Sequence, residues 1–189
     1  MRVAVPLNKC YRLINHGPVT LVSAAANGQS NVMAAAWAMP LDFDPPKIAV
    51  VIGAGDLTRS LIDVSRELVV QVPPRGLAEQ TDAVGSCTGR LVDKWMKFGL
   101  SSEPGSVVKA PLVTGCVAWL ECKMVDEPSV EQRYDLLIAE VVAAWADDAV
   151  YSVDDTTVRL RDDVPEHLRA FHHVAGGAYV ADGQVFSVR

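Results

Sequence analysis

The chain has 189 residues, half of them hydrophobic, and its 17 basic and 23 acidic residues leave a formal net charge of −6. The length predicts one domain over residues 1–189, because domains commonly span about 100–200 residues. The acidic balance argues against a nucleic-acid-binding domain, and the high apolar content argues against disorder.

Two further classes are disfavoured by the residue pattern. The longest apolar run, residues 32–41, is about half of the ~20 residues that a membrane-spanning helix needs. The four histidines form no HExxH motif and the four cysteines no CxxC pair. We therefore expect no bound metal and no membrane contact, and free thiols in a reducing cytoplasm.

The first half of the chain alternates short strands and helices. Asn27-Gly28 is a strong turn signal that predicts a hairpin between its flanking strands. Apolar residues at Leu57, Leu61 and Ile62 have helical spacing. In chain order, the patterns predict strands over 18–27, 31–38 and 47–52, a helix over 57–66, a strand over 67–72 and a helix over 77–84.

The second half is dominated by longer strands. The patterns predict a loop over 85–90, a short helix over 91–98, a connector over 105–111, long strands over 114–126 and 134–145 with a turn at 127–129, and short strands over 149–152 and 158–160. The tail from residue 171 to 188 alternates apolar and polar residues. Strands joined mainly as hairpins indicate a β-barrel with helical insertions.

Residues 48–72 imitate the dinucleotide-binding βαβ unit, with Gly53-Ala54-Gly55 between a strand and a helix. Thr58 stands where that unit has its third glycine, and the second strand ends without the acidic residue that binds a ribose. A dinucleotide site of this kind is therefore disfavoured. The helix N-terminus with Thr58 and Arg59 suits either an anion or a plain capped helix.

Gly85-Ser86-Cys87-Thr88-Gly89 has the letters of a nucleophile elbow with a cysteine as the nucleophile. Such an elbow requires a strand before it, whereas a helix is predicted here. The hydroxyls together with Arg90, and Lys94 one turn further on, suit an anion better than a nucleophile.

His172 and His173 are candidates for proton transfer. Adjacent residues of an extended chain face opposite sides, so at most one of them faces a shared pocket. A partly buried structural histidine is the alternative for either residue.

In order and spacing, several segments resemble the flavin reductase-like family, whose members bind FMN on a split β-barrel and include flavoredoxins and NAD(P)H:flavin oxidoreductases. The similar segments are residues 18–20 (PVT), 31–37 (NVMAAAW), 43–46 (FDPP), Thr58, 85–90 (GSCTGR), 92–95 (VDKW) and 176–179 (GGAY). The resemblance implies a mainly β fold, an FMN-binding split β-barrel of the Greek-key type with a few short helical insertions.

The resemblance also implies positions for the cofactor. A segment along the isoalloxazine would consist of Asn31, Val32, Met33, Ala34, Ala35, Ala36 and Trp37. The phosphate would be held by Thr58, Lys94 and the loop residues Cys87, Thr88 and Gly89. His173 and Tyr179 would border the nicotinamide or substrate side. The family usually has a histidine shortly before the long strand, at the position that is Tyr134-Asp135 here.

These features favour an FMN-containing oxidoreductase that takes hydride from NADH or NADPH and passes electrons to free flavin or another acceptor. Hydride transfer between the two rings needs no ionisable nucleophile, which agrees with the absence of a triad motif. The alternatives are a flavoredoxin-type electron carrier without a nicotinamide site, reduced by a protein partner, a barrel without flavin, and a thiol hydrolase at Cys87. The expected partners are a second copy in a homodimer and a monooxygenase or redox protein, and Trp119 and Trp145 are candidate interface or core anchors.

Overall fold

Strands make up most of the regular structure in the computed structural model, which describes residues 1–186 and 188. The strands are β1 (Arg2–Ala4), β2 (Thr20–Ala26), β3 (Gln29–Ala35), β4 (Ala38–Phe43), β5 (Pro46–Val51), β6 (Glu67–Val72), β7 (Ser102–Glu103), β8 (Leu112–Val113), β9 (Ala118–Met124), β10 (Leu136–Asp147), β11 (Tyr151–Val153), β12 (Val158–Leu160), β13 (Phe171–Ala175) and β14 (Ala178–Ala181). The helices are α1 (Leu57–Ser65), α2 (Ala78–Gly85), α3 (Lys94–Lys97) and α4 (Pro128–Tyr134), with 3-10 turns at Leu7–Leu13, Arg75–Leu77 and Glu166–Leu168.

One antiparallel sheet of eight strands organises the molecule. Its order is β3-β2-β6-β9-β10-β5-β4, and β1 pairs with β10. The two end strands, β3 and β4, follow each other in the chain with only Ala36 and Trp37 between them. The hairpin predicted between β2 and β3 is confirmed, since Asn27 and Gly28 have φ angles of 52° and 77°, as a two-residue turn of this type requires.

Two hydrophobic clusters lie on opposite faces of this sheet. The inner cluster combines alternate strand residues such as Val50, Val70 and Leu137 with Leu61 and Ile62 of α1. The outer cluster covers β2, β3, β6 and β9. Its members come from these strands, from α2 and from the segment between α3 and β9, and include Leu21, Val32, Val69, Val84, Leu112 and Trp119.

The structure corrects three of the expected elements. The return strand predicted over 31–38 ends at Ala35, and β4 was not foreseen as a separate strand. The turn predicted at 127–129 is the start of α4, because Pro128 occupies a first-turn position where its missing N–H is not needed. The helix predicted over 91–98 is confined to α3, which Asp93 caps by accepting a hydrogen bond from the Met96 N–H at 3.1 Å.

The disfavoured dinucleotide unit is also absent from the described residues. Strand β5 pairs with β4 and β10, whereas β6 pairs with β2 and β9, and all of these pairs are antiparallel. The strand–helix–strand order of residues 48–72 therefore does not form a parallel βαβ unit. No helix in the part of the chain that the structure describes is both long and apolar enough to cross a bilayer.

A fully buried carboxylate, that of Glu121 on β9, fixes the segment that covers the outer cluster. Its Oε1 accepts hydrogen bonds from the Ser106 hydroxyl and from Trp145 Nε1. Its Oε2 accepts from the N–H groups of Val107 and Val108, at 2.7 and 3.1 Å. Burial alone would raise the pKa of Glu121, but these hydrogen bonds outweigh burial and the pKa lies below its ordinary value.

We expect Glu121→Gln to lower the free energy of unfolding by about 3 kcal/mol at neutral pH, because an amide nitrogen would then face buried N–H groups. Urea unfolding measures this change. The exposed Glu79→Gln on α2 is the control and should stay within about 0.5 kcal/mol of the parent.

The difference in unfolding free energy between the parent and Glu121→Gln should also depend on pH. Because the folded-state pKa of Glu121 is depressed, its contribution is present above the ordinary value of 4.5 and is lost as the pH falls through the folded-state pKa. This difference in unfolding free energy should become smaller in acid. A difference that stays constant down to about pH 3 would contradict a depressed pKa for Glu121.

Candidate functional site

Strand β3 is packed on both faces. Val32 is fully buried in the outer cluster and Ala34 packs against it, while Met33 and Ala35 belong to the inner cluster. Since β3 ends the order of the sheet, alternate residues direct their backbone N–H and C=O groups away from β2 at a free edge. The strand therefore offers a rigid row of backbone donors and acceptors.

One end of β3 borders a groove that we call the hairpin groove, with a cavity volume of about 280 Å³. Its walls come from β3, from α2 and from the hairpin β13–β14. Its lining residues are Val19, Ala34, Ala36, Thr81, Asp82, Gly85, Ser86, His173, Gly176 and Tyr179. The groove thus places small apolar side chains opposite a histidine, a tyrosine and a carboxylate.

The other end of β3 borders a second groove, the loop groove, with a cavity volume of about 450 Å³. It lies between the β2–β3 turn and the segment that leads into α3. Its lining residues are Gly28, Gln29, Ser30, Asn31, Gly89, Arg90, Leu91, Val92, Asp93, Lys94 and Trp95. Two cationic side chains, Arg90 and Lys94, therefore face this end of the strand.

Asn31 and Thr58 connect β3 to α1. The Asn31 Nδ2 donates a 2.8 Å hydrogen bond to the Thr58 hydroxyl, and both side chains are buried. Gly89 lies directly against this pair: a Cβ at residue 89 would be 2.2 Å from Asn31 Oδ1. Glycine is therefore required at this position for the loop to approach β3.

Lys94 and Trp95 both line the loop groove, and each has a buried donor atom. Lys94 is 4% exposed, and its Nζ donates a 2.7 Å hydrogen bond to the Val84 carbonyl. Burial lowers the pKa of Lys94, while Cys87 and Asp56 act in the opposite direction. The buried Trp95 Nε1 has no hydrogen-bond partner among the described residues. A ligand that carries acceptor oxygens would satisfy such a donor.

Arg90 bridges the loop to the start of α1. Its Nε donates to the Gly55 carbonyl at 3.3 Å, and a terminal nitrogen donates to the Ser60 hydroxyl at 2.7 Å. Asp56, the N-cap residue of α1, makes no side-chain capping bond. Arg90 thus lies against the first turn of α1, at the helix end that carries partial positive charge.

The loop over residues 85–90 follows α2, with Gly85 as the last residue of the helix. As predicted from the sequence, a helix precedes Cys87, and not the strand that a nucleophile elbow requires. Cys87 is half-buried and its Sγ lies 3.6 Å from the Ala83 carbonyl, and Thr88 is exposed at the turn into Arg90.

His173 and Tyr179 do meet, in the hairpin groove, with their ring centroids 5.3 Å apart. The Tyr179 hydroxyl donates a 2.7 Å hydrogen bond to Asp82 on α2. Burial, and then this contact with Asp82, raise the pKa of Tyr179 to about 12. His172 faces the opposite side of the strand, toward Gly17 and Asp182. The sequence predicted that at most one of the two histidines faces a shared pocket, and in the structure His173 lines the hairpin groove whereas His172 does not.

The structure does not expose all of the predicted cofactor segment. Met33 and Ala35 point into the inner cluster, so they can contribute through their backbone only. Thr58 is fully buried and lines neither groove, so its hydroxyl positions Asn31. Trp37, by contrast, is 75% exposed at the end of the strand.

Sequence reasoning missed Asp82 and Trp95 as members of the site. Asp82 lies in a polar helix whose pattern carries no chemical signal, and only the hairpin brings it to Tyr179. Trp95 follows Lys94 in the segment that resembles the family, and this adjacency was its one available signal. Among residues 1–186 and 188, no cluster of three or more potential metal ligands occurs.

Comparison with known proteins identifies relatives along nearly the whole chain. A family model described as a flavin reductase like domain matches residues 12–157. The protein YddH of Escherichia coli (strain K12) is 35% identical over 185 residues, which are 96% of this chain and 95% of that protein.

Two solved structures share the fold. An FMN-binding domain of a flavin reductases-like enzyme from Shewanella baltica OS155 has a TM-score of 0.94 and 41% identity, covering 100% of this chain and 98% of that one. The flavoredoxin of Desulfovibrio vulgaris (Miyazaki F) has a TM-score of 0.78 and 24% identity, covering 91% and 90% of the two chains. The predicted mainly β, split-barrel fold with a few short helices is confirmed.

Proposed function

The chain belongs to the flavin reductase-like family, and we propose that it binds FMN and takes hydride from NADH or NADPH, passing the electrons to free flavin or another acceptor. Bound FMN would supply a ring that accepts a hydride and releases electrons singly or in pairs. The relative from Shewanella baltica is described as FMN-binding, and it is similar over the full length of the chain.

The observation that carries the proposal is the pair of buried donors at the loop groove. The N–H of Trp95 has no partner in the described part of the chain, and Lys94 is nearly fully buried beside it. Buried donors and cations are stabilised by an anion that offers several acceptor oxygens. A phosphate monoester, such as that of FMN, has this chemistry.

The hairpin groove complements the loop groove in polarity. Ala34 and Ala36 present small apolar surfaces, which suit a flat aromatic ring, and the free edge of β3 offers backbone N–H groups beside them. Such N–H groups would donate hydrogen bonds to ring oxygens on which negative charge increases during reduction. FMN would thus have its ring and its phosphate at opposite ends of β3.

His173 and Tyr179 form the wall of the hairpin groove that faces Ala34 and Ala36. We assign to them the substrate side of the flavin ring. One observation favours the alternative of a flavoredoxin-type electron carrier reduced by a protein partner. The lining of the hairpin groove includes the carboxylate of Asp82 but neither lysine nor arginine, so the phosphates of a dinucleotide find no cation there. A monooxygenase or another redox protein would then be the electron-transfer partner.

We also propose a homodimer, formed through the outer face of β4, β5 and β10. Met39 and Leu41 are 54% and 47% exposed, and Met39 pairs with Ala49, which pairs with Ile138 in the next strand. This face adjoins Trp37, which follows β3, so a second copy seated on it would lie beside the hairpin groove. The free thiols of all four cysteines favour a reducing compartment such as the cytoplasm.

Replacing Gly89 by Ala should weaken FMN binding by about tenfold or more, because a methyl group 2.2 Å from Asn31 Oδ1 displaces the loop from β3. Titration of FMN fluorescence with the flavin-free protein measures the affinity. Gly183→Ala is the matched control, since a Cβ there meets no atom within 4 Å. Equal affinities for the two variants would refute the assignment of the loop groove to FMN.

Anaerobic addition of NADH or NADPH to the FMN-saturated protein should bleach the flavin absorbance near ~450 nm within seconds. His173→Ala should slow this bleaching by about tenfold, whereas His167→Ala, at an exposed position, should leave it unchanged. If the flavin is reduced by dithionite but by neither nucleotide, the result contradicts the reductase and favours the electron carrier. A protein that does not bind FMN would contradict both.

Met39→Glu should raise the dissociation constant of the dimer by at least about tenfold, because it places a charge in the apolar face. Sedimentation velocity over a range of concentrations measures the constant. Val64→Glu, at a 61% exposed position on α1, is the control and should leave the dimer intact. A parent protein that is monomeric at every concentration would rule out this interface.

A further inference from the structure

The hairpin β13–β14 forms its own two-stranded sheet outside the main sheet. At its base, the Val19 N–H donates to the Phe171 carbonyl at 2.8 Å and the Asp182 N–H to the Ala170 carbonyl at 2.9 Å. Residues 173–178 are exposed. The position of the hairpin over the hairpin groove therefore depends on side-chain contacts in addition to these backbone bonds.

His172 supplies the contact at the base of the hairpin. Its Nδ1 is 2.9 Å from the Gly17 carbonyl, and its Nε2 is 2.7 Å from Asp182 Oδ1. Both neighbours are acceptors, whereas a neutral imidazole has only one N–H. The two contacts are satisfied together when His172 carries a proton on each nitrogen, and the bond to Asp182 is then charge-assisted.

His16 lies beside the same carboxylate without forming a hydrogen bond to it. Its Nε2 is 3.4 Å from Asp182 Oδ2, and its ring centroid is 5.8 Å from that of His172. Burial lowers the pKa of His16, Asp182 acts in the opposite direction, and His172 lowers it further. Burial and His172 therefore disfavour the charged form of His16, and it is His172 that makes the side-chain hydrogen bond to Asp182.

The other ionisable groups around Asp182 do not replace His172. Tyr151 is fully buried, and burial followed by Asp182 raises its pKa, so its hydroxyl stays protonated. Arg161, Asp162 and Arg169 line a small cavity on which Asp182 also borders. Arg161 and Arg169 donate to the backbone carbonyls of Asp148 and Val164. Among the described side chains, only His172 forms a hydrogen bond with the Asp182 carboxylate.

We propose that His172 and Asp182 are positioning residues, which hold the hairpin so that His173 and Tyr179 form the wall of the hairpin groove while His172 carries its second proton. Deprotonation leaves either the Gly17 carbonyl or the Asp182 carboxylate without a donor in a half-buried site, which weakens the attachment of the hairpin. The groove then loses its wall at a pH high enough to remove this second proton.

The consequence for flavin rests on the proposed function, but the attachment itself can be tested without flavin. Amide hydrogen exchange of the flavin-free protein, corrected for intrinsic rates, should show protection of β13 and β14 that falls about tenfold between about pH 6 and about pH 8.5. In His172→Gln, the protection should be low at both values and independent of pH. His167→Gln, at an exposed position outside the hairpin, should behave as the parent.

Asp182→Asn provides a second variant, which keeps the size of the side chain but removes its charge. It should also lower the protection of the hairpin at about pH 6, while the main sheet exchanges as in the parent. Equal pH dependence of hairpin protection in the parent, His172→Gln and Asp182→Asn would overturn the proposal.

Binding of FMN then separates this inference from the proposed function. Between about pH 6 and about pH 8.5, the FMN affinity of the parent should fall about tenfold more than the FMN affinity of His172→Gln falls. The comparison with the variant removes the ionisation of the FMN phosphate, which is common to both proteins. If the hairpin protection depends on His172 but the protein binds no FMN, the proposed role of His172 and Asp182 is supported and the proposed function is rejected.

Discussion

Strand β3 is the element on which the candidate site depends, because both of its faces are packed and one of its edges is free. Val32 is fixed by the outer cluster and Met33 by the inner cluster, so the strand cannot rotate about its axis. Its backbone groups therefore point to fixed positions at the edge of the sheet. Asn31 near the start of the strand and Ala36 just past its end then define where a ligand along this edge meets the two grooves.

The two halves of the sheet differ in what covers their outer faces. The half that contains β2, β3, β6 and β9 is covered by the chain itself, through α2 and the segment that Glu121 holds in place. The half that contains β4, β5 and β10 leaves the apolar side chains of Met39 and Leu41 exposed. A second copy would cover that half, and it would do so beside Trp37, where β3 ends. The proposed site and the proposed interface thus meet at the connection between the two end strands.

Much of this arrangement could be predicted from local sequence, and the exceptions have physical reasons. The Asn27-Gly28 turn and the helical spacing of Leu57, Leu61 and Ile62 are local signals, and the structure follows them. The boundary between β3 and β4 at Ala36 has no such local signal. One apolar run contains residues of both strands, and the two strands separate only because they take places at opposite ends of the sheet. Thr58 was expected to contact phosphate, and burial places its hydroxyl behind Asn31 instead.

The ionisable groups show a second kind of information that a single sequence does not contain. Asp82 and Asp182 are surface-type residues in sequence, yet each holds one part of the hairpin β13–β14, through Tyr179 and His172. Both contacts join residues far apart in the chain or on opposite sides of a turn. The cations of the site, by contrast, lie within residues 90–94. The anion-binding end could therefore be recognised from a short motif, whereas the wall of the hairpin groove required the fold.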